Sequence, residues 1–396
     1  MKEIQLAHGG GGEEMNELLQ GLFKVLDNEI LRDANDAAIV EFSQNEVLNF
    51  SQNSENSALN STQNGALHLA KNAEILGENS QNPVNFSQNS VKNSRHATNL
   101  SENLAQNSLN LCGKFAISTD SFTLSPIFLD DEVNIGKLCI CGSVNDVLMV
   151  GAKPEFLSLA FIIEEGLSAA KLDTIVASIK KECDKAGVAV VCGDTKVVPK
   201  GKGDEIYINT TAFGRVLRAC ESKNIRAGLS VLLSGDIGRH GAAVLVQRNA
   251  LEASVSSDCK CLKDEVMGLL REGVAVVAMR DATRGGLSAV LNEWARQSGC
   301  DILVREDKIA VKDEVKGVCE LFGFEAFELA NEGTFVLCVE KAHEQRALQI
   351  LRKFNENAAV IGEVLESGGS RVILQNAYGA KRFLEVPKGE LLPRIC

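Results

Sequence analysis

Apolar residues recur along this chain with two alternating spacings, and the alternation predicts a mixed α/β fold. Ile4 to Ala7 reads as a short strand. Four glycines follow, Gly9 to Gly12, and then an amphipathic helix from about Glu13 to Leu26, with Met15, Leu18, Leu19, Leu22 and Phe23 on one face. A second strand is expected at Ala37 to Phe42. The pattern resumes with a strand at Lys114 to Ser118, a helix from Ile135 to Val150, a strand at Phe156 to Ile163 and a helix from Ala169 to Ala186. Val188 to Cys192 reads as a buried β-branched strand, and Tyr207 to Gly214 as another. Near residue 215 the composition becomes that of a linker. Beyond it, Val231 to Leu233 reads as a strand, the run Ser234 to Gly238 as a turn, 263–278 and 286–297 as helices, Thr334 to Val339 as a strand and Ala342 to Lys353 as a helix. This gives an N-terminal domain over 1–214, a second α/β domain over 215–380, and a tail over 381–396.

Residues 43–110 break the pattern. Ser, Asn and Gln dominate, and Phe-Ser-Gln-Asn recurs at 42–45, 50–53 and 86–89. Such a segment buries too little apolar surface to offset the entropy of ordering, so it reads as a disordered insertion. Its Asn and Gln content also allows a self-associating segment.

The 396 residues suffice for two domains, and 45% hydrophobic content is that of a globular protein. The net charge of −12 argues against nucleic acid as the main partner, since no basic field attracts phosphate backbones. No apolar run approaches the roughly 18 residues of a membrane span, and Met1-Lys2-Glu3-Ile4 lacks a signal-peptide core, so cytoplasm is the expected location. The 12 cysteines are scattered, and the Cys139/Cys141 and Cys259/Cys261 pairs lack a matched partner at zinc-ribbon spacing.

Four aspartates stand in short polar steps beside apolar segments: Asp36, Asp120 and Asp194 at strand ends or turns, and Asp146 within a helix. Gathered together they would suit Mg²⁺, which takes hard oxygen ligands and substrate phosphates; singly, each reads as a turn or cap residue. Gly9 to Gly12 ahead of a helix could cradle phosphate with bare backbone N–H groups, although Glu13 and Glu14 would repel it. Lys196, two residues after Asp194, is a candidate phosphate-binding cation or general base, or a solvated surface lysine. Asp281-Ala-Thr-Arg-Gly-Gly286 suggests a tight loop into a helix. Glu332, in Ala330-Asn-Glu-Gly333, places a carboxylate just before a strand. The chain closes on Leu-Leu-Pro-Arg-Ile-Cys396, whose thiol sits on the freest backbone in the molecule. A free thiol of pKa about 8.5 supplies some thiolate near neutral pH.

Taken together, His8-Gly-Gly-Gly-Gly12, Ser118-Thr-Asp-Ser-Phe122, Ile135-Gly-Lys-Leu138, Gly142-Ser-Val-Asn-Asp146, Gly193-Asp-Thr-Lys-Val-Val198, Asp281-Ala-Thr-Arg-Gly-Gly286, Ala330-Asn-Glu-Gly333 and Pro393-Arg-Ile-Cys396 resemble the hydrogenase-maturation carbamoyl dehydratases. That family belongs to the aminoimidazole ribonucleotide synthetase (PurM-like) superfamily. The resemblance spans nearly all the chain outside 43–110. It implies a two-domain PurM-like fold whose N-terminal sheets pair two protomers into a homodimer. It implies ATP and Mg²⁺ in a cleft formed by Gly10, Gly11, Gly12, Asp120, Asn145, Asp146, Asp194, Thr195 and Lys196, with Asp36, Asp120, Asp146 and Asp194 toward the metal. It further implies a carbamoyl group received on Cys396 from the carbamoyltransferase HypF, dehydrated to a thiocyanate, and passed as cyanide to iron on the HypC–HypD scaffold. Glu332, with Lys196 or His8, is then the candidate for the proton transfers. Two other readings stay open, a synthetase of the selenophosphate type and a nucleotide-sensing scaffold without turnover.

Overall fold

A computed structural model describes residues 13, 17, 37–41, 113–130, 132–366, 368–387 and 396. His8, Gly10, Gly11, Gly12, Asp36, the strand expected at 4–7 and the insertion over 43–110 lie outside the described residues; of the helix expected over 13–26, Glu13 and Glu17 are described, and both are helical. The chain divides into two compact units, 1–39 with 115–396, and 40–114. The first unit carries nearly all of the described residues.

The first sheet is built from β1 (Ala38–Glu41), β2 (Lys114–Phe122), β3 (Ala152–Glu164), β4 (Ala189–Val198) and β5 (Ile206–Val216), in the order β1-β2-β5-β3-β4. β5 runs antiparallel to both β2 and β3, and β3 runs parallel to β4. The β3–β4 crossover is helix α2 (Ala169–Ala186). Its limits follow from its ends. The Ser168 side chain accepts from the Lys171 N–H, and Gly187 takes the left-handed conformation that stops the helix.

Helix α1 (Ile135–Met149) is the centre of the unit. Asn134 caps it, its Oδ1 accepting from the N–H groups of Gly136 and Lys137 at 2.8 and 3.2 Å. Every residue of α1 except Lys137 and Asp146 is buried. A helix apolar all round belongs between two layers, and α1 packs on β3 and β5 on one side and on β7 (Val276–Asp281) and α4 (Lys263–Arg271) on the other. Asp146 therefore stands as a charged break in a buried helix.

The second sheet has the order β12-β11-β8-β10-β6-β9-β7, with β6 at Ser230–Leu233, β8 at Ile302–Arg305, β9 at Phe335–Val339, β10 at Ala359–Val364, β11 at Val372–Gln375 and β12 at Lys381–Phe383. Helices α3 (Arg239–Arg248), α5 (Gly286–Ser298), α6 (Asp313–Phe322) and α7 (Glu344–Leu351) complete it. Residues 381–383, expected in the tail, form β12 against β11, and Leu384 directly after it is buried.

Two expectations need correction. The helix expected over 263–278 ends at Arg271: Gly273 has φ 67°, and the β-branched run Val274, Val276, Val277 leads into β7 instead. The strand expected to be buried at 188–192 is β4, an edge strand that in the single chain exposes Val190, Val191 and Val197 at 43, 58 and 67%.

Candidate active site

The β-sheet register decides which acidic residues can meet. Across the first sheet, Asp120 of β2 stands level with Thr210 of β5, Leu159 of β3 and Gly193 of β4. Side chains alternate faces along a strand. Asp120 thus shares the covered face with Ser118 and the buried Thr210, toward α1. Asp194 is one residue past Gly193 and starts on the opposite face. It also lies three strand steps away, roughly 14 Å at about 4.8 Å per step. Asp194 was expected at a strand end; it sits in the middle of β4, exposed and paired with Lys196 at 2.9 Å. That hydrogen bond holds its carboxyl below the usual range.

On the covered side, a cavity of about 300 Å³ opens between β2, α1, the loop after β7 and the turn before β9. β2 contributes Ser118, Asp120 and Phe122, and α1 contributes Gly142 and Asp146. Ser118 Oγ donates to Asp146 Oδ2 at 2.6 Å, linking strand to helix. Gly142 permits the approach, since a Cβ there would stand 2.9 Å from the Phe122 ring.

The second half of the molecule supplies Asp281, Thr283, Arg284 and Glu332. Asp281 ends β7, and the chain then turns through Gly285 and Gly286, at φ 76° and 59°, into α5. A Cβ on Gly286 would lie 2.4 Å from the Phe327 carbonyl oxygen, so the loop demands glycine there. The turn bearing Glu332 is fixed from both sides. Buried Asn331 donates to the carbonyls of Ala282 and Leu329 at 2.9 and 3.1 Å and accepts from the Gly238 N–H at 2.7 Å. The Asp258 carboxylate accepts from the N–H groups of Glu332 and Gly333 at 3.1 and 3.0 Å.

Glu332 itself is 3% exposed. Burial, and then the carboxylates of Asp281, Asp258 and Asp120, push its pKa well up, against a smaller opposing effect of Arg284. Cys396 lines the same cavity. Its main-chain oxygen accepts from the Thr123 N–H at 2.7 Å and from the Thr123 hydroxyl at 3.3 Å, directly after β2. Burial of the thiol raises its pKa to about 11, with Arg284 opposing and the carboxylates of Glu332, Asp120 and Asp281 adding to the rise.

Of the residues singled out in the sequence, Asp120, Asp146, Glu332 and Cys396 thus share one cavity. Asp194 and Thr195 border a separate depression on β4, and Lys196 lies on that strand too. Asn145 is buried elsewhere, its Oδ1 accepting from the Leu262 N–H at 2.9 Å and its Nδ2 donating to the Lys260 carbonyl at 3.1 Å. Among the described residues no group of three or more His, Cys, Asp or Glu is spaced to hold a metal. Sequence reasoning passed over Asp281, Thr283 and Arg284 as site residues. The density of functional types in Asp281-Ala-Thr-Arg was the available signal.

Residues 105–216 match the family described as AIR synthase related protein, N-terminal domain, and residues 226–375 its C-terminal domain. Carbamoyl dehydratase HypE of Escherichia coli strain K12 is 36% identical over all of both chains. The chain belongs to the HypE family of carbamoyl dehydratases. The HypE of Rhodobacter capsulatus is 37% identical over 72% of this chain and 85% of its own. Among solved structures, a hydrogenase maturation protein HypE in complex with ATP superimposes with a TM-score of 0.69, at 32% identity, over all of both chains. A HypE from a HypE–HypF complex gives 0.72 at 33% identity over 95% of this chain and all of that one. The cavity holding Cys396 and Glu332 therefore belongs to an enzyme of the HypE dehydratase family with the PurM-like fold.

Proposed function

We propose that the cavity dehydrates a carbamoyl group carried on the Cys396 sulfur, leaving a thiocyanate that supplies cyanide for nickel–iron hydrogenase. The observation that supports this reading is that Cys396 and the buried Glu332, whose pKa is raised, line one carboxylate-rich cavity. The reaction removes one oxygen and two N–H protons from the S–C(=O)–NH2 group and leaves S–C≡N. Glu332 is placed to take a proton from the carbamoyl nitrogen. Its raised pKa makes it a stronger base than an ordinary carboxylate, so proton abstraction becomes more favourable.

ATP with Mg²⁺, when bound, supplies phosphoryl activation that makes the carbamoyl oxygen a good leaving group. The residues present fit this pair. Mg²⁺ is commonly held by one or two carboxylates plus phosphate oxygens and water rather than by an all-protein cage. Asp120 and Asp146 would hold it, Asp146 oriented by the Ser118 hydroxyl. A relative in complex with ATP supports the nucleotide, and one in complex with HypF supports that protein as the carbamoyl donor. The HypC–HypD scaffold is the acceptor of the cyano group in this reading.

A second copy of the chain completes the assembly. Among the described residues no strand pairs with the outer edge of β4, which exposes valines and carries Asp194, Thr195 and Lys196 away from the cavity of their own protomer. Unpaired apolar edges invite pairing. A homodimer formed through this sheet accounts for both features.

Replacing the sulfur tests the reading. Cys396→Ala incubated with HypF and its carbamoyl donor should gain no carbamoyl group by mass and form no thiocyanate. Thiocyanate formation by this variant would refute the assignment.

A further inference from the structure

Arg284 is a guanidinium with an unusual position. It lies in the cavity with Cys396, Glu332, Asp120 and Asp146, and it is only partly exposed. Among the described residues it makes no hydrogen bond and no ion pair, although neighbouring Arg280 bonds Glu293 at 2.7 Å. Five N–H donors are thus held in an enclosed site without a protein acceptor, which is costly unless a ligand supplies one. Glu332 presents the complementary case. Its carboxylate is buried and accepts no hydrogen bond among the described residues.

The two side chains match the two polar edges of a carbamoyl group. An S-carbamoyl unit is planar, with an acceptor oxygen on one edge and a donor NH2 on the other. Cys396 lines the same cavity as a group that only donates and a group that accepts. Resting on the dehydratase reading, we infer that Arg284 is a catalytic residue that grips the carbamoyl oxygen of S-carbamoyl-Cys396 while Glu332 takes the N–H edge.

This arrangement sets the orientation of the group. The oxygen edge is turned to the cationic, phosphate-accepting side and the nitrogen edge to the base. Two electrons of the breaking C–O bond leave with that oxygen, and the planar fork of Arg284 stabilises the charge they carry. The N–H bonding pairs become the C≡N bonds as one proton departs to Glu332 and the other leaves with the departing oxygen. The guanidinium also selects against S-alkyl groups, which leave its donors unpaired. A lysine would keep the charge and lose the fork.

The test uses the full chain, with the thiol carbamoylated chemically by brief exposure to cyanate, so that loading does not depend on a partner. Mass spectrometry of the peptide ending in Cys396 then follows loss of one water on addition of ATP and Mg²⁺. Wild type should lose it. Arg284→Met should retain the carbamoyl group and dehydrate about 100-fold more slowly, and Arg284→Lys should fall between, on the scale of losing one charge-stabilising donor. Near-wild-type rates in a folded Arg284→Met would overturn the inference; if that variant does not fold, a wild-type rate in Arg284→Lys would do so. Failure of the wild type itself to lose water would instead sink the dehydratase reading.

Discussion

At the scale of the residue, the chemistry of Cys396 turns on its protonation. Within the cavity its thiol is pushed up to about 11, chiefly by burial. The thiolate is the nucleophile. Near pH 8 the docked residue therefore holds roughly 200-fold less thiolate than a free cysteine of pKa about 8.5. Loading is affected, because the sulfur is a poor nucleophile where Glu332 awaits it. The alkylation rate of Cys396 by iodoacetamide should climb about tenfold per pH unit between 8 and 10, following the thiolate fraction. A plateau near pH 8.5 would show that the docked, desolvated thiol does not govern reactivity. The residue scale is also where sequence reading was least complete. Arg284 and Asp281 stood in a conspicuous motif, yet only the fold brings the loop after β7 against Cys396. Asp194 looked equivalent to Asp120 in the sequence. The register across β2, β5, β3 and β4 starts them on opposite faces.

At the scale of the element, α1 carries the organisation. Its apolar run reads directly as a buried helix, and Asp146 is legible as the residue that must find a polar site. The two limits of α2 were legible too, because Ser168 and Gly187 are local start and stop signals. The end of α4 was not, since Val274, Val276 and Val277 continue the apolar spacing past Gly273 and only pairing with β9 makes them a strand. Asn145, expected at the nucleotide, has an architectural task in the structure. It holds the 260–262 segment to α1, and that segment's Lys260 N–H donates to the Glu332 carbonyl at 3.2 Å. Asn145→Ala leaves a buried N–H and a carbonyl unpaired, at about 1–3 kcal/mol each. The melting temperature should drop by roughly 5 °C or more by calorimetry. An unchanged melting temperature would mean that water or a shifted backbone replaces the amide.

At the scale of the whole molecule, the two halves make one site. Neither the β2–α1 side nor the β7–β9 side holds Asp120, Asp146 and Glu332 together. Among the described residues no helix is long and apolar enough to cross a membrane. The strand β4, at the sheet edge among the described residues, sets the expected assembly. Val191→Lys together with Val197→Lys should convert a dimer to a monomer in sedimentation velocity, because a charge on an interface strand loses its water on pairing. A dimer unchanged by both substitutions would place the interface elsewhere. The β-branched sequence of β4 correctly announced a strand, but it read as core. Nothing in a single sequence separates a strand inside a sheet from one at its edge.

The most direct test of this chemistry is the intact mass of the full chain after HypF-dependent carbamoylation, with and without ATP and Mg²⁺. The expected result is one carbamoyl group on Cys396 without nucleotide and the loss of one water from that residue with it. A carbamoyl adduct on Cys396 that persists unchanged through ATP turnover would contradict the dehydration of a Cys396-bound carbamoyl group in this cavity.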